Sequence, residues 1–269
     1  VIADAALARR LESLQAAVHG EVVAAIQRLR PEIGATMLES GDGNAAFAGV
    51  GSPLTQAIGL ALSAPIDDDE LSAIEELYFS RGADSIVHVT PWSDPSLAAK
   101  LAERGYAIHE FENVFVQPIA PDTRATSPIE VVQIGEGDIP TWARIAAEAF
   151  ATEGMSADTL ADIMTPFGYA EHARNYIAYI DGEPAGSASA FALPERGLVG
   201  LFGAGTRERF RKRGVQAALL ARRLADAAES GCDLALVTTL PGSGSHRNVA
   251  RSGFELIYTK VSMRRAFRS

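Results

Sequence analysis

The chain repeats part of itself, and this constrains it more than any single motif does. Gly82-Ala-Asp-Ser-Ile-Val-His-Val-Thr90 lines up with Gly231-Cys-Asp-Leu-Ala-Leu-Val-Thr-Thr239. Leu101-Ala-Glu-Arg-Gly-Tyr106 lines up with Val249-Ala-Arg-Ser-Gly-Phe254, with the offset changed by one residue. Each copy reads strand, loop, short helix, Gly-aromatic, strand, and the near-constant spacing makes duplication a better account than chance. A chain of 269 residues has room for two modest domains. The most Pro-rich polar stretch, 117–128, lacks periodicity and reads as the linker between them. The expected division is 1–120 and 127–269.

Bulk properties narrow the function classes. Hydrophobic residues at 47% and charged residues at 22% are an ordinary globular balance. A net charge of −10 disfavours nucleic acid as the main partner, because a phosphate backbone asks for a basic face. It suits a cationic amine substrate, although a diffuse excess mostly serves solubility. No apolar run approaches the roughly 20 residues that span a bilayer, and the first residues lack a signal-peptide layout. The expectation is a cytoplasmic protein with no membrane partner. A single cysteine, Cys232, excludes an internal disulfide framework and a Cys-based zinc site, so no metal is expected. It follows Gly231 and begins an apolar run, which reads as a small core position.

In the first half, Leu7, Leu11, Leu14, Val18, Val22 or Ala25, and Leu29 recur at helical steps until Pro31 stops them. Gly41-Asp-Gly-Asn44 marks turns, strand-like runs follow at 45–50 and 57–62, and Asp67 to Glu70 cap a helix through about Arg81. The second half reads strand (129–134), helix (138–151), helix (157–167), then a hairpin of 176–180 and 184–193 joined at Asp181-Gly182. Strand 198–206 leads into Arg207-Glu-Arg-Phe-Arg-Lys-Arg-Gly-Val-Gln216. The helix that follows runs to about Glu229, with Ala217, Leu220, Leu224, Ala227 and Ala228 on one face and Gly231 beyond its end.

A strand that stops in a basic, Gly-containing loop and restarts as a helix is a device for holding phosphate. The first helical turn leaves backbone N–H groups unpaired and its dipole favours an anion. Gly214 lets the backbone approach without a Cβ in the way. Arg209, Arg211, Lys212 and Arg213 concentrate positive charge in an acidic chain. A solvated basic turn before an ordinary helix would read the same way from charge alone.

Arg211-Lys-Arg-Gly-Val-Gln216 resembles the phosphate loop of GCN5-related N-acetyltransferases (GNAT), Arg/Gln-x-x-Gly-x-Gly/Ala, set between the expected strand and helix. The segment 237–254 is similar to the family's later strand, short helix and Gly-Phe turn. The resemblance implies a mixed-sheet α/β fold of two tandem GNAT-like domains and an acetyltransferase using acetyl-CoA as co-substrate. It places the pantetheine arm along the backbone of Ala204, Gly205 and Thr206. It places the pyrophosphate on the loop and helix start, from Arg211, Lys212, Arg213 and Gly214 through Val215, Gln216 and Ala217, and adds Ser245 and Asn248. Gln216 departs from the family's usual Gly or Ala. The first copy has Ser63-Ala-Pro-Ile-Asp-Asp-Asp-Glu70 at the corresponding place, with four carboxylates and no suitable glycine. Those charges would repel a pyrophosphate, so the first half is expected to be a degenerate copy without CoA.

Amine acetylation needs a polarised thioester, a neutral amine and a stabilised leaving thiolate. Backbone N–H groups at the end of strand 198–206 can face the developing oxyanion. A carboxylate or histidine can take the amine proton, and Glu148 and Glu153, flanking the helix–helix turn, are the leading candidates, with Glu195 in a hairpin turn as a further one. Many family members carry a Tyr as general acid at the position held here by Val249, which leaves Ser245, His246 or Tyr258 as substitutes. The expected function is acetyl transfer to a primary amine of a small molecule. The alternatives are a non-catalytic acyl-CoA sensor or scaffold, which the absent Tyr keeps open, and a transferase of longer acyl or aminoacyl groups. A homodimer through the N-terminal helix or a sheet edge is compatible with the chain.

Overall fold

A computed structural model describes residues 1–151 and 156–268. It consists of two compact units, Val1–Val116 with Thr238–Ser269, and Gln117–Val237.

The first unit opens with α1 (Ala5–Leu29), started by Asp4, whose carboxylate accepts from the Leu7 N–H at 2.8 Å. The helix ends before Pro31, as its periodicity requires. A hairpin of β1 (Thr36–Ser40) and β2 (Gly43–Phe47) follows, then β3 (Gln56–Ile58). β1 carries no clear alternation and is not foreseen. The runs at 45–50 and 57–62 are shorter strands than expected because Gly49, Gly51 and Gly59 take φ of 108°, 75° and 70°. Next come α2 (Asp68–Phe79), β4 (Ser85–Val89), α3 (Pro95–Glu103) and β5 (Ala107–Pro118). β5 thus takes in the first two residues of the expected linker.

The second unit runs β6 (Glu130–Gln133), α4 (Ile139–Phe150), α5 (Ala157–Gly168), β7 (Ala173–Ile180), β8 (Glu183–Leu193), β9 (Leu198–Thr206), α6 (Val215–Glu229) and β10 (Leu234–Thr239). Asp181 and Gly182 turn β7 into β8 with φ of 54° and 77°, the left-handed pair that a tight hairpin demands. Its strands order β6-β7-β8-β9-β10, antiparallel except for β9 and β10, which the α6 crossover makes parallel. Under α4, Ile139, Trp142, Ala143 and Ile145 pack on Ile177.

The face of α6 that goes inward is rotated from the expected one: Val215, Ala218, Leu219, Arg223, Leu224 and Ala227 are buried, while Ala217 is exposed. Arg223 can lie inside because its guanidinium donates to the carbonyls of Ser189 (3.0 Å) and Leu219 (3.1 Å). Burial still pulls its pKa down to about 10. Cys232 is buried as expected, its thiol donating to the Leu198 carbonyl at 3.3 Å.

The chain then re-enters the first unit as α7 (Gly244–Arg251) and β11 (Glu255–Arg265). β11 lies between β4 and β5, antiparallel to both, giving the order β1-β2-β3-β4-β11-β5. The closing strand of the second copy therefore completes the sheet of the first. The duplication itself is plain in backbone detail. Gly82 (φ 69°) and Gly231 (φ 89°) end α2 and α6, and the next amide of each bonds back to the helix, Ala83 to Tyr78 at 3.1 Å and Cys232 to Ala227 at 2.9 Å. Gly105 (φ 86°) and Gly253 (φ 89°) end α3 and α7, with Tyr106 bonding to Leu101 at 3.0 Å and Phe254 to Val249 at 3.2 Å.

A buried polar seam joins α1 to β11. Lys260 Nζ donates to Gln15 Oε1 at 2.7 Å and lies 3.6 Å from Glu12 and 3.2 Å from Glu112. Burial alone would lower its pKa, but the two carboxylates hold it raised. Further along α1, His19 meets Asn44 of β2 at 3.2 Å, and burial lowers its pKa to about 4.

Candidate active site at the end of β9

β9 is bulged. Ser187 of β8 pairs with Gly205 and Ser189 with Phe202, so Ala188 alone faces both Gly203 and Ala204. Gly203 takes φ 58° at the bend. The Ala188 carbonyl accepts from the indole N–H of the fully buried Trp142 at 3.0 Å, which fixes the bulge from behind. The other edge of β9 pairs with β10 only over 198–200, leaving the backbone of 201–206 without that partner. Gly205 is closely covered, since a methyl there would come within 2.5 Å of Ala149 Cβ on α4.

Past Thr206 the chain makes one tight turn, Glu208–Phe210, and reaches α6 through Gly214 in left-handed geometry (φ 86°, ψ 2°). No side chain caps α6 and no acidic residue stands in its first turn, so the amides of Val215, Gln216 and Ala217 have no intrahelical acceptor. Lys212 is also left-handed, at φ 62°. Arg209, Arg211, Lys212, Arg213 and Gly214 are all exposed. Arg209 pairs with Glu183 at 2.5 Å and lies over the Phe210 ring at 4.7 Å, while Arg213 reaches Asp181 at 3.3 Å. The Gln216 side chain donates to Thr206 Oγ1 at 3.0 Å. The residue that departs from the family motif therefore ties the helix start back to β9, and its amide stays in the open turn.

Glu148 is engaged. Its two oxygens accept from Arg207 Nε (2.7 Å) and Nη2 (3.3 Å), and Arg207 Nη1 also donates to the Pro184 carbonyl at 2.9 Å. With Glu208 and Arg209 the pair lines an open cleft of about 570 Å³. Glu195 lies in the turn between β8 and β9, beside Arg196 at 3.7 Å. Glu153 lies outside the described residues.

The remaining expected residues belong to the first unit. Tyr258 is buried, its hydroxyl donates to Glu12 Oε1 at 2.7 Å, and burial together with that carboxylate pushes its pKa far above the ordinary range. The hydroxyl proton of Tyr258, expected as a candidate general acid, is thus engaged by Glu12. Val249 is buried in the core. Thr259 Oγ1 donates to Asn113 Oδ1 at 2.7 Å, which turns the Asn113 amide nitrogen toward His246 Nδ1 at 3.0 Å. The half-buried ring stands edge-on to Phe115 at 5.2 Å. Ser245 and Asn248 are exposed on α7. Sequence reasoning did not find the bulge, the Trp142 support or the Arg207–Glu148 pair. The only local signal was Gly203-Ala-Gly205 near a strand end.

The model of the acetyltransferase (GNAT) family matches residues 140–254. A GCN5-related N-acetyltransferase from Kribbella flavida is similar in fold, with a TM-score of 0.64 at 18% identity over 90% of this chain and 94% of that one. A tandem GNAT protein from the clavulanic acid biosynthesis pathway gives 0.62 at 15% identity, covering 91% and 87%. A functionally unknown conserved protein from Staphylococcus epidermidis gives 0.54 at 13%, covering 74% and 79%. At these identities the likenesses speak for the fold. A comparison with curated protein sequences finds no match.

Proposed function

We propose, for a chain whose residues 140–254 match the GNAT family model and whose fold is similar to that of a tandem GNAT protein, that it transfers an acetyl group from acetyl-CoA to a primary amine of a small molecule. Acyl transfer is the family's general chemistry. The observation that carries the cofactor reading is the uncapped start of α6, where left-handed Gly214 and four exposed cations follow a bulged strand with a free edge. Unpaired amides in a helix first turn suit a pyrophosphate, and backbone donors at a bulge suit a developing oxyanion. In the transfer the amine nitrogen forms a bond to the thioester carbon, the C–S bond breaks, and the amine proton ends on the sulfur. Glu148 is better assigned to holding Arg207 at the mouth of the loop than to taking that proton, because both its oxygens are occupied. Glu153 remains the proposed base, and Ser245 and Asn248 remain contacts that the resemblance implies.

The sensor reading rests on the same loop without the chemistry. It is favoured by the commitment of Tyr258 to Glu12 and by Val249 where many relatives carry Tyr. Calorimetric titration with acetyl-CoA, beside Gly214→Glu, tests the cofactor. We expect micromolar binding that the variant weakens by about 100-fold, since it adds a charge, fills the cradle and strains a left-handed position. No binding by the unaltered protein would overturn the reading. CoA release with members of an amine panel separates the enzyme from the sensor.

A further inference from the structure

His246 and Val249 stand one turn apart on the same face of α7. Val249 is buried and holds the position at which many members of the family carry Tyr. His246 is half-buried, and it is the polar side chain one turn before it on that face. Its backbone N–H donates to Ser243 Oγ at 3.0 Å, and its ring lies edge-on to Phe115 at 5.2 Å.

Asn113 decides what that ring can do. Its Oδ1 accepts from the Thr259 hydroxyl at 2.7 Å, and its Nδ2 meets the ring Nδ1 at 3.0 Å. An amide nitrogen only donates, so Nδ1 must present its lone pair, and the neutral ring then carries its proton on Nε2. Asn113 is itself buried, packed between the groups that fix it. A ring held this way offers a hydrogen bond from Nε2 and has no lone pair there with which to take a proton from an amine. The match to the family model, over 140–254, takes in α7 as well as β9.

We propose that His246 is the hydrogen-bond donor to the leaving sulfur, through Nε2–H, and that Asn113 and Thr259 are positioning residues that fix its tautomer. This rests on the proposed acetyl transfer. As the amine nitrogen bonds to the carbonyl carbon, the C–S electron pair passes to the sulfur. The Nε2–H stabilises that charge and keeps its proton, while the sulfur takes the proton that the amine gives up.

Nitrogen NMR of the imidazole rings in mildly alkaline solution reads the tautomer, with the His246 signals assigned by their loss in His246→Ala. We expect the proton on Nε2 in the unaltered protein. In Asn113→Asp, whose carboxylate only accepts, it should move to Nδ1. With the best amine of the panel, His246→Ala should lower kcat about 100-fold and leave the affinity for CoA unchanged. His246→Gln, which keeps a donor, should retain more activity than His246→Ala, and Asn113→Asp should lose nearly as much as His246→Ala. A proton on Nδ1 in the unaltered protein, or full turnover by His246→Ala, would overturn this inference and leave the transfer reading standing. If no amine releases CoA, the transfer reading falls and this role with it.

Discussion

The two copies solve the same problem, the start of a helix after a strand, in opposite ways. α6 begins at a glycine, has no side-chain cap and follows a run of exposed cations. α2 begins at Asp67, whose carboxylate accepts from the Glu70 N–H at 2.7 Å, and carries three more acids in its first turn. Their charge is met from α3, where Arg104 pairs with Asp68 at 3.0 Å and Lys100 with Asp68 at 3.3 Å, the latter also donating to the Ile66 carbonyl at 2.9 Å. The loops around the start of α2 are tied to each other as well, Asp94 N–H to the Ala61 carbonyl at 2.7 Å and Ser93 Oγ to Leu60 at 3.2 Å. One copy thus caps with its own side chains the kind of helix start that the other leaves without a side-chain cap. A second contrast lies beneath the helices that cover each sheet: α4 is apolar there, whereas α1 sets Glu12, Gln15 and His19 against Lys260 and Asn44. The first copy ties its helix start into self-contacts and holds α1 on its sheet through buried polar groups, where the second copy packs apolar side chains under α4.

Lys260→Met attacks the second contrast most directly. It leaves Glu12 buried without a cation, so urea unfolding should show a loss of about 3–5 kcal/mol. The double change Lys260→Met with Glu12→Gln should recover a good part of that. A single variant as stable as the parent would mean that the seam is not what holds α1 to β11.

Acid should find the same region. His19 is held at about 4 by burial, against an ordinary 6.5. His88 is lowered too, first by its burial and then by Lys260. Above pH 6.5 neither state binds a proton at these sites. Below it the unfolded chain binds them and the folded one does not, so stability falls as pH falls. For His19 alone the loss is about 2 kcal/mol at pH 5. Among the described residues the buried histidines, His19 and His88, belong to the first unit, so amides of α1 and β11 should lose hydrogen-exchange protection before those of β7 and β8. His19→Gln should flatten the pH dependence between 6.5 and 4. An unchanged slope would dismiss His19 as its source.

The smallest effect sharpens the first contrast. Asp67→Ala removes the α2 cap and should cost about 1 kcal/mol, with binding stoichiometry still one CoA per chain. A second equivalent bound after this change would show the first copy to be a masked site, and the contrast between the copies would collapse.

What the sequence determined by itself is local. Pro31 ends α1, Asp181-Gly182 makes the β7–β8 hairpin, and Gly214 after a basic run starts α6, because turn chemistry and helical periodicity act within a few residues. The duplication was legible for the same reason, since both copies carry the glycines that their helix ends require. Tertiary structure decided what depends on partners far along the chain. Tyr258 meets Glu12 across 246 positions and Lys260 meets Gln15 across 245, and β11 completes the first unit's sheet. Arg207 occupies Glu148 across 59 positions, Trp142 reaches Ala188 across 46, and Arg223 goes inside by reaching Ser189 across 34. Periodicity assigns a charged side chain to the surface, and only the packed structure supplies the carbonyls and carboxylates that make its burial stable.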